Sequence, residues 1–240
     1  MATCTLIKQL QTTVSSPNTT GTFTPTSGSL LVALLHAVAT VSDPGTLNSS
    51  IGGFTFTQFR ADEKGGVNDW VYGFVADALV TDTSSQTITW DPGDASNGLI
   101  IGLYEIIGVT RFGLSAIRQS ASGETTAAGT PSVTLSSAAL TGNPVLTMIG
   151  NDTNPIAITE PSGWTEGFDL GHATPDSGGQ ICHRDSGFTG TTITWGSTTA
   201  TDSVQLAVEI DASALGHPAL SRYRGTPGMS TISSRFGRGW

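Results

Sequence analysis

Short runs rich in Val, Ile, Thr, Phe and Trp recur along the whole chain between clusters of Gly, Pro, Asn, Asp and Ser, and helical periodicity is nearly absent. Strands of a half-buried antiparallel sheet are typically built in this way, because β-branched and aromatic side chains pack well on a pleated surface. The pattern predicts an all-β protein, an antiparallel β-sandwich with two series of strands. The first series lies near residues 4–14, 29–39, 53–60, 69–80, 85–90 and 98–107, and the second near residues 131–137, 144–150, 163–169, 179–186, 191–196 and 203–210.

The second series repeats the landmarks of the first in the same order, and the word TITW occurs in both, at residues 87–90 and 192–195. The distance between matched landmarks is 114 residues at Gly28 and Gly142, 110 at Gly53 and Gly163, 105 at the tryptophans, and 104 at Glu105 and Glu209. Insertions and deletions in surface loops produce small steps of this kind. We therefore expect two pseudo-repeats, at residues 1–112 and 113–217, and a C-terminal arm at residues 218–240.

Alternation within TITW predicts the face on which each residue lies. Ile88 and Trp90 share one face and are expected to fill the core, whereas Thr87 and Thr89 suit a solvated face.

The last strands of the two halves differ in their patterns. In the second half, apolar residues alternate with Gln205, Ala207 and Glu209, which we expect to face water. Residues 99–106 are apolar on both faces apart from Glu105, so a second layer must cover them. That cover comes either from the other half of the chain or from a neighbouring subunit.

Charge is distributed unevenly along the chain. All 19 acidic residues lie at or before Asp211, so the body carries a charge of −13 and the segment after it carries +4. An acidic body repels a polyanion, so we expect no nucleic-acid partner. The sequence shows no secretory signal and no apolar run long enough to span a bilayer, which predicts a soluble product made in the cytoplasm with no membrane contact.

The C-terminal arm combines arginines with large apolar residues. A disordered tail usually lacks such apolar groups, and Arg with aromatic residues commonly anchors protein interfaces. We expect the arm to dock on an acidic, partly apolar surface of another subunit, the alternative being a loose tail. The predicted partner-binding residues are Arg222, Tyr223, Arg224, Arg235, Phe236, Arg238 and Trp240.

Residue types that carry chemistry are present without a motif that organises them, so we expect no catalytic, cofactor or metal site. His36 interrupts an apolar strand and is expected to be a satisfied core or edge histidine. Cys182 and His183 are adjacent and would lie on opposite faces of a strand, and no second pair has zinc-ligand spacing. Cys4 and Cys182 are expected to be ordinary half-buried thiols and not a disulfide. The remaining histidines are His172 and His217.

Acidic residues are the candidates for two other roles, glycan cleavage and calcium binding. A glycan-cleaving enzyme needs a pair of carboxylates, and the candidates are Asp62, Glu63, Asp69, Asp91, Asp94, Glu105 and Glu209. Equivalent positions in two repeats should lie apart in similar surroundings, so we expect Glu105 and Glu209 to bind loop amides or water instead. Asp91, Asp94 and Asn97 are a weak calcium candidate, more typical of a turn.

The chain resembles the β-rich virion proteins of tailed bacteriophages and related gene transfer particles. The stretches that carry the resemblance are GSLLVALLHAVA, GGFTF, WVYGFVA, TITW, YEIIG and PSGWTEGFDL, within residues 20–211. The resemblance implies a non-enzymatic structural or decorating role at the head or tail, many copies per particle, and a jelly-roll or lectin-like fold.

We therefore expect a virion structural protein, either capsid-decorating or head-associated, that forms homo-oligomers and binds other virion proteins. The alternative is a carbohydrate-binding or receptor-binding tail module, in which Phe59, Trp70 or Trp164 would stack on the sugars of a host-surface glycan.

Overall fold

The computed structural model describes residues 1–12, 18–38, 46–49, 54–65, 69–91, 98–126, 129–151, 158–173, 176–196 and 202–213. Their regular structure is entirely β apart from one short 3₁₀ turn at Gly113–Ala116. The strands are β1 (Thr3–Thr12), β2 (Asn18–Thr19), β3 (Leu30–Val38), β4 (Thr46–Ser49), β5 (Phe56–Lys64), β6 (Asp69–Ala76), β7 (Ile88–Asp91), β8 (Gly98–Ile107), β9 (Ile117–Thr125), β10 (Ser132–Thr134), β11 (Val145–Asn151), β12 (Thr165–Ala173), β13 (Asp176–Arg184), β14 (Thr192–Thr194) and β15 (Ser203–Ile210). In these ranges, no helix has the length and apolar character needed to span a membrane.

Ten of the strands form two five-stranded antiparallel sheets. The first has the order β1-β8-β3-β6-β5, and the second has the order β9-β15-β11-β13-β12. The first sheet uses only strands from residues 3–107, and the second uses only strands from residues 117–210. In each sheet an edge strand lies beside the last strand of its half, and the opposite edge is a hairpin, β5-β6 or β12-β13.

The other strands form two small sheets, β2-β7-β4 and β10-β14. Threonines line the pairing in both: the hydroxyls of Thr19 and Thr89 lie 2.8 Å apart, and those of Thr134 and Thr192 lie 3.1 Å apart. Thr19, Thr134 and Thr192 are exposed and Thr89 is partly buried, whereas the apolar residues that alternate with them are buried.

The two five-stranded sheets share one hydrophobic core and form a sandwich-like arrangement. Leu34 and Ile100 from the first sheet lie in the same buried cluster as Met148, Ile181 and Leu206 from the second. Burying one such side chain contributes about 1.5–3 kcal/mol, so this cluster holds the sheets together. The second half of the same chain therefore provides the cover expected over residues 99–106.

Each outer face of the sandwich is covered by one of the small sheets. Trp90 packs in a buried cluster with Ile101 of the first large sheet, and Trp195 packs in another with Ile149 of the second. Trp90 is 0% exposed and Trp195 is 1% exposed. The prediction that the TITW tryptophans fill the interior is confirmed.

Two side-chain contacts define the ends of the sandwich. At one end, which we call the lower end, the Cys4 N–H donates to Oδ1 of Asp185 over 2.7 Å. At the upper end, the Gln11 side-chain amide donates to the carbonyl of Gly171. β15 ends at the lower end, where the Ile210 N–H bonds the carbonyl just before β11 over 2.9 Å.

All four edge strands of the large sheets are interrupted by a register shift. The shifts lie between Leu6 and Lys8 in β1, between Gln58 and Arg60 in β5, between Glu166 and Phe168 in β12, and opposite Glu209 and Ile210 in β9. Bulges twist an edge away from regular pairing and so protect it from adding another strand.

The all-β prediction is confirmed, and each of the twelve predicted regions contains a strand. Three strands were not predicted: the short β2 and β4, and the nine-residue β9. The sequence of β9, IRQSASGET, has a single β-branched residue at each end and small or polar residues between them. Its place in the sheet comes from pairing with β15.

The prediction that one face of β15 meets water is wrong. Gln205, Ala207 and Glu209 are 0% exposed, like the apolar residues between them. Ala207 packs in the cluster that contains Val133 of β10 and Ile193 of β14. The small sheet therefore covers the face that alternation had suggested was wet.

Candidate functional site

The predicted partner-binding residues of the C-terminal arm, Arg222, Tyr223, Arg224, Arg235, Phe236, Arg238 and Trp240, lie outside the described residues, which end at Ser213. The structure describes how the chain is fixed just before the arm. The Asp211 N–H donates to the carbonyl of Ala116 over 2.8 Å, and the Ala212 N–H donates to Oδ1 of Asn143 over 3.1 Å. Two segments distant in sequence thus anchor the chain at the lower end.

The carboxylate of Asp211 strengthens this anchor. It lies 3.2 Å from Nε of Arg111 and accepts the Ser213 N–H over 2.9 Å. Burial alone would raise the pKa of Asp211, but the hydrogen bonds from Ser213 and the charges of Arg111 and Arg118 outweigh it and lower the pKa below 3.8. Asp211 is therefore ionised at neutral pH and holds the end of β15 to the segment before β9.

Glu105, near the end of β8, binds the turn that precedes β3. Its carboxylate accepts the backbone N–H of Thr26, the Thr26 hydroxyl over 2.9 Å and the Ser29 hydroxyl over 2.7 Å. The side chain is 5% exposed. A buried carboxylate with three donors fixes this turn against the end of β8.

Glu209, near the end of β15, binds the turn that precedes β11. Its carboxylate accepts the Leu140 N–H over 2.9 Å and the Asn143 side-chain amide over 2.7 Å, and it also accepts from Arg118 and Gln119. Like Glu105, it uses one backbone N–H and one side chain located three residues later. The expectation that both glutamates bind loop amides is confirmed.

The two glutamates lie on opposite outer faces of the sandwich. Tyr104 and Val208, their neighbours in the strands, point into the shared core, so Glu105 and Glu209 point away from it on separate sheets. Two large sheets, packed about 10 Å apart, separate them. Glu105 and Glu209 therefore cannot act together on one glycosidic bond, which needs two carboxylates in one cleft.

The other acidic candidates are dispersed. Asp62 and Glu63 lie on edge strand β5, where Oδ1 of Asp62 accepts the Glu63 N–H over 3.1 Å. Asp69 is 0% exposed and its carboxylate meets the imidazole of His36, which is 1% exposed. His36 is thus a satisfied core histidine, as expected. Asp94 and Asn97 lie outside the described residues, as does the side chain of Asp91.

The three aromatic candidates for sugar binding lie on different parts of the surface. Phe59 packs against the backbone of Gly73 at the bulge of β5. Trp70 stacks on Tyr72 on the outer face of the first large sheet, with ring centroids 5.8 Å apart. Trp164 meets a neighbouring phenyl ring edge-on at 5.4 Å, at the other half of the molecule. These three rings do not form one continuous stacking platform.

The two cysteines are free thiols, and they are buried and not half-buried as expected, because both lie within the sandwich. Burial raises the pKa of both Cys4 and Cys182, and nearby carboxylates raise them further. Burial also lowers the pKa of His183 below 6.5, so its imidazole is neutral at pH 7. A thiol whose pKa is raised is a poor nucleophile, because the thiolate is the reactive form.

Within the described residues, no group of three or more His, Cys, Asp and Glu side chains is placed to hold a metal ion. The His172 side chain and all of His217 lie outside the described part of the chain.

Sequence reasoning identified both glutamates, but not the groups that they bind. Ser29 and Asn143 each follow directly after a matched landmark, Gly28 or Gly142. A hydroxyl or amide at the same place in both series was a usable signal. The pairing of His36 with Asp69 was also missed, because it depends on β3 and β6 being neighbours in the sheet.

Comparisons of the chain with family models, with curated proteins and with solved structures found no match.

Proposed function

We propose that the protein is a structural component of a bacteriophage virion, a capsid-decorating or head-associated surface subunit that acts by protein–protein assembly. The observation that carries the proposal is the anchor at Asp211, which fixes the chain end immediately before the C-terminal arm. An arm with a charge of +4 that leaves an acidic body is suited to binding a neighbour of the same kind. The resemblance to β-rich virion proteins is the reason for proposing that the protein assembles on a bacteriophage particle.

We also propose that the body is a jelly-roll or lectin-like sandwich made of two copies of one unit, with boundaries at residues 1–112 and 113–217. Three features support this duplication. The two large sheets have corresponding strand orders. Trp90, in β7, and Trp195, directly after β14, each pack against the large sheet of their own half, and Glu105 and Glu209 make corresponding bonds.

The proposed partners are other virion proteins and further copies of this chain. The edges of both large sheets are interrupted by bulges, which disfavours assembly by adding strand to strand. Contacts through the arm avoid these edges. Symmetric copies on a particle would multiply a weak contact of each arm through avidity.

The test is binding of the purified chain to capsids of the parent phage that lack it. We expect the full-length protein to co-sediment with capsids at a saturating stoichiometry, and deletion of residues 218–240 to reduce binding about tenfold or more, since several anchor residues are lost together. Gln58→Asp, a change at an exposed position of edge strand β5, is the matched control and should bind as wild type.

Equal binding by the deleted and full-length chains would refute a role for the arm, provided that both have the same urea midpoint. Absence of capsid binding by the full-length protein, together with specific signals on a glycan array, would overturn the proposal in favour of the carbohydrate-binding alternative.

A further inference from the structure

Among the described residues, five large hydrophobic side chains are exposed, and all five lie at the lower end of the sandwich. We call the group of five the lower apolar patch. Its members among the described residues are Met1 (94% exposed), Ile107 (41%), Phe112 (49%), Leu114 (55%) and Leu140 (49%). At the upper end, the described residues expose no large hydrophobic side chain. Scattered apolar residues on a surface are ordinary, but five large apolar side chains grouped at the same end indicate a contact surface.

The last described residues, Asp211 to Ser213, lie beside three members of this patch. Phe112 and Leu114 lie between Arg111 and Ala116. The Arg111 side chain pairs with the Asp211 carboxylate, and the Ala116 carbonyl accepts the Asp211 N–H. Leu140 is also near this point, because its N–H donates to the carboxylate of Glu209, two residues before Asp211. The residues after Ser213 therefore start beside exposed apolar side chains on two sides.

We propose that the lower apolar patch is the docking site for this chain's own C-terminal arm in the free protein. The arm carries six large apolar side chains that can cover such a surface: Leu220, Tyr223, Met229, Ile232, Phe236 and Trp240. Between Ser213 and the first of them lie only six residues, which extend to about 20–25 Å at most. A linker of that length allows the start of the arm to reach the patch.

A second body is a poorer occupant than the arm. Five partly exposed side chains present a few hundred Å² at most, whereas stable interfaces bury about 800 Å² on each partner. Pairing of edge strands cannot supply the missing area, because all four edges of the large sheets are bulged. The arm adds apolar area of its own without requiring a body-to-body contact.

The tether favours the chain's own arm over the arm of another copy. A short linker gives the arm a local concentration in the millimolar range, far above the micromolar concentration of free protein. This inference holds whether or not the protein belongs to a virion. In an assembled particle, neighbouring copies crowd to comparable concentrations, and the same arm can then exchange onto a neighbour.

Photo-crosslinking tests the proposal directly. Phe112→benzoylphenylalanine places a photoreactive ring on the patch in the full-length chain, and Gln58→benzoylphenylalanine is the matched control on β5. Equal amounts of ¹⁴N and ¹⁵N protein are mixed at micromolar concentration, irradiated, digested and analysed by mass spectrometry.

We expect the position-112 probe to crosslink to peptides from residues 218–240, with both peptides carrying the same isotope, and the position-58 probe to give no arm peptide. Crosslinks from position 112 that pair ¹⁴N with ¹⁵N peptides in equal share would overturn the proposal, because the occupant would then be a second copy. Absence of any arm peptide would overturn it as well.

Limited trypsin digestion gives an independent reading. Arg222 and Arg224 lie within the arm, and docking should protect them. We expect Leu114→Asp to raise the rate of cleavage there about five- to tenfold, since a charge replaces apolar area that docking buries. Gln58→Asp should leave the rate unchanged. An unchanged rate in Leu114→Asp, in a protein with the wild-type thermal midpoint, would refute docking on the patch.

Discussion

The substitution Glu209→Gln should lower the free energy of unfolding about twice as much as Glu105→Gln. Glu209→Gln preserves the shape of the side chain but turns one acceptor oxygen into an amide donor. The remaining oxygen can still accept from Leu140 and Asn143. The new NH₂ group then faces Arg118 and Gln119, which both donate to Glu209 in the wild type. Donors that face each other in a buried site lose their bonds without replacement.

The surrounding amides cannot rotate to relieve this conflict. The Gln119 oxygen already accepts from Ser137, and the Asn143 oxygen already accepts the Ala212 N–H. Flipping either amide would break these bonds. Two lost bonds to a charged acceptor at about 1.5 kcal/mol each give about 3 kcal/mol for Glu209→Gln.

Glu105→Gln should have a smaller effect, because its partners include hydroxyls. The hydroxyls of Thr26 and Ser29 can accept as well as donate. The retained oxygen of the glutamine accepts the Thr26 N–H, and the new NH₂ group donates to a hydroxyl that has rotated. The variant loses only the negative charge of the acceptor, which should lower the free energy of unfolding by about 1.5 kcal/mol in total.

Urea unfolding followed by tryptophan fluorescence measures both values. With a slope near 3 kcal/mol/M, the midpoint should fall by about 1 M for Glu209→Gln and by about 0.5 M for Glu105→Gln. Glu160→Gln, at an exposed position, should change the free energy of unfolding by less than about 0.5 kcal/mol. Equal losses for the two buried glutamates, or a larger loss for Glu105→Gln, would refute the reasoning from donor and acceptor geometry.

Three further predictions concern the interior. Trp195→Ala should lower the free energy of unfolding by about 3–5 kcal/mol, as should Trp90→Ala, measured by urea unfolding followed by circular dichroism; a loss below about 1 kcal/mol for either would contradict its place in the core. Gly150→Val should destabilise by about 2 kcal/mol or more, because a Cβ there would lie 2.0 Å from the His36 ring, and the thermal midpoint should recover partly in the double variant with His36→Ala. Burial raises the folded-state pKa of Cys182 above its ordinary value of 9.0, so the stability linked to the neutral thiol is complete below pH 9 and is lost as the pH rises. The free energy of unfolding should therefore be about 1 kcal/mol lower at pH 10 than at pH 7 because of this thiol, and Cys182→Ala should remove that part of the pH dependence.

Strand positions were predictable because alternation and turn residues are local signals. β11 and β15 are read directly from their apolar runs, and TITW correctly placed its tryptophan inside. The exposure of each face was not predictable, since it depends on whether another layer lies above it. Gln205 looks solvent-facing in the sequence, yet the small sheet β10-β14 covers that face of the large sheet.

The candidate site shows the same division between local and distant information. The positions of Glu105 and Glu209 were evident from their repetition, but the turns that they bind lie 66–79 residues away, and the β9 partners of Glu209 lie 90 and 91 residues away. Contacts at such separations are set by sheet order, which the sequence pattern does not give. Strand β9 was missed for a related reason, because its neighbours and not its own residues make it a strand.

On the proposed duplication, His36 and Gly150 occupy matched positions, eight residues after the matched glycines Gly28 and Gly142. The His36 ring packs directly on Gly150 across the interface between the two large sheets. In a dimer of identical copies, a residue near the twofold axis faces its own counterpart. Two histidines here would collide, and two glycines would leave a void. A single chain that contains both copies can place one histidine and one glycine. The proposed duplication therefore explains how the two facing surfaces can be complementary although the two halves share one pattern.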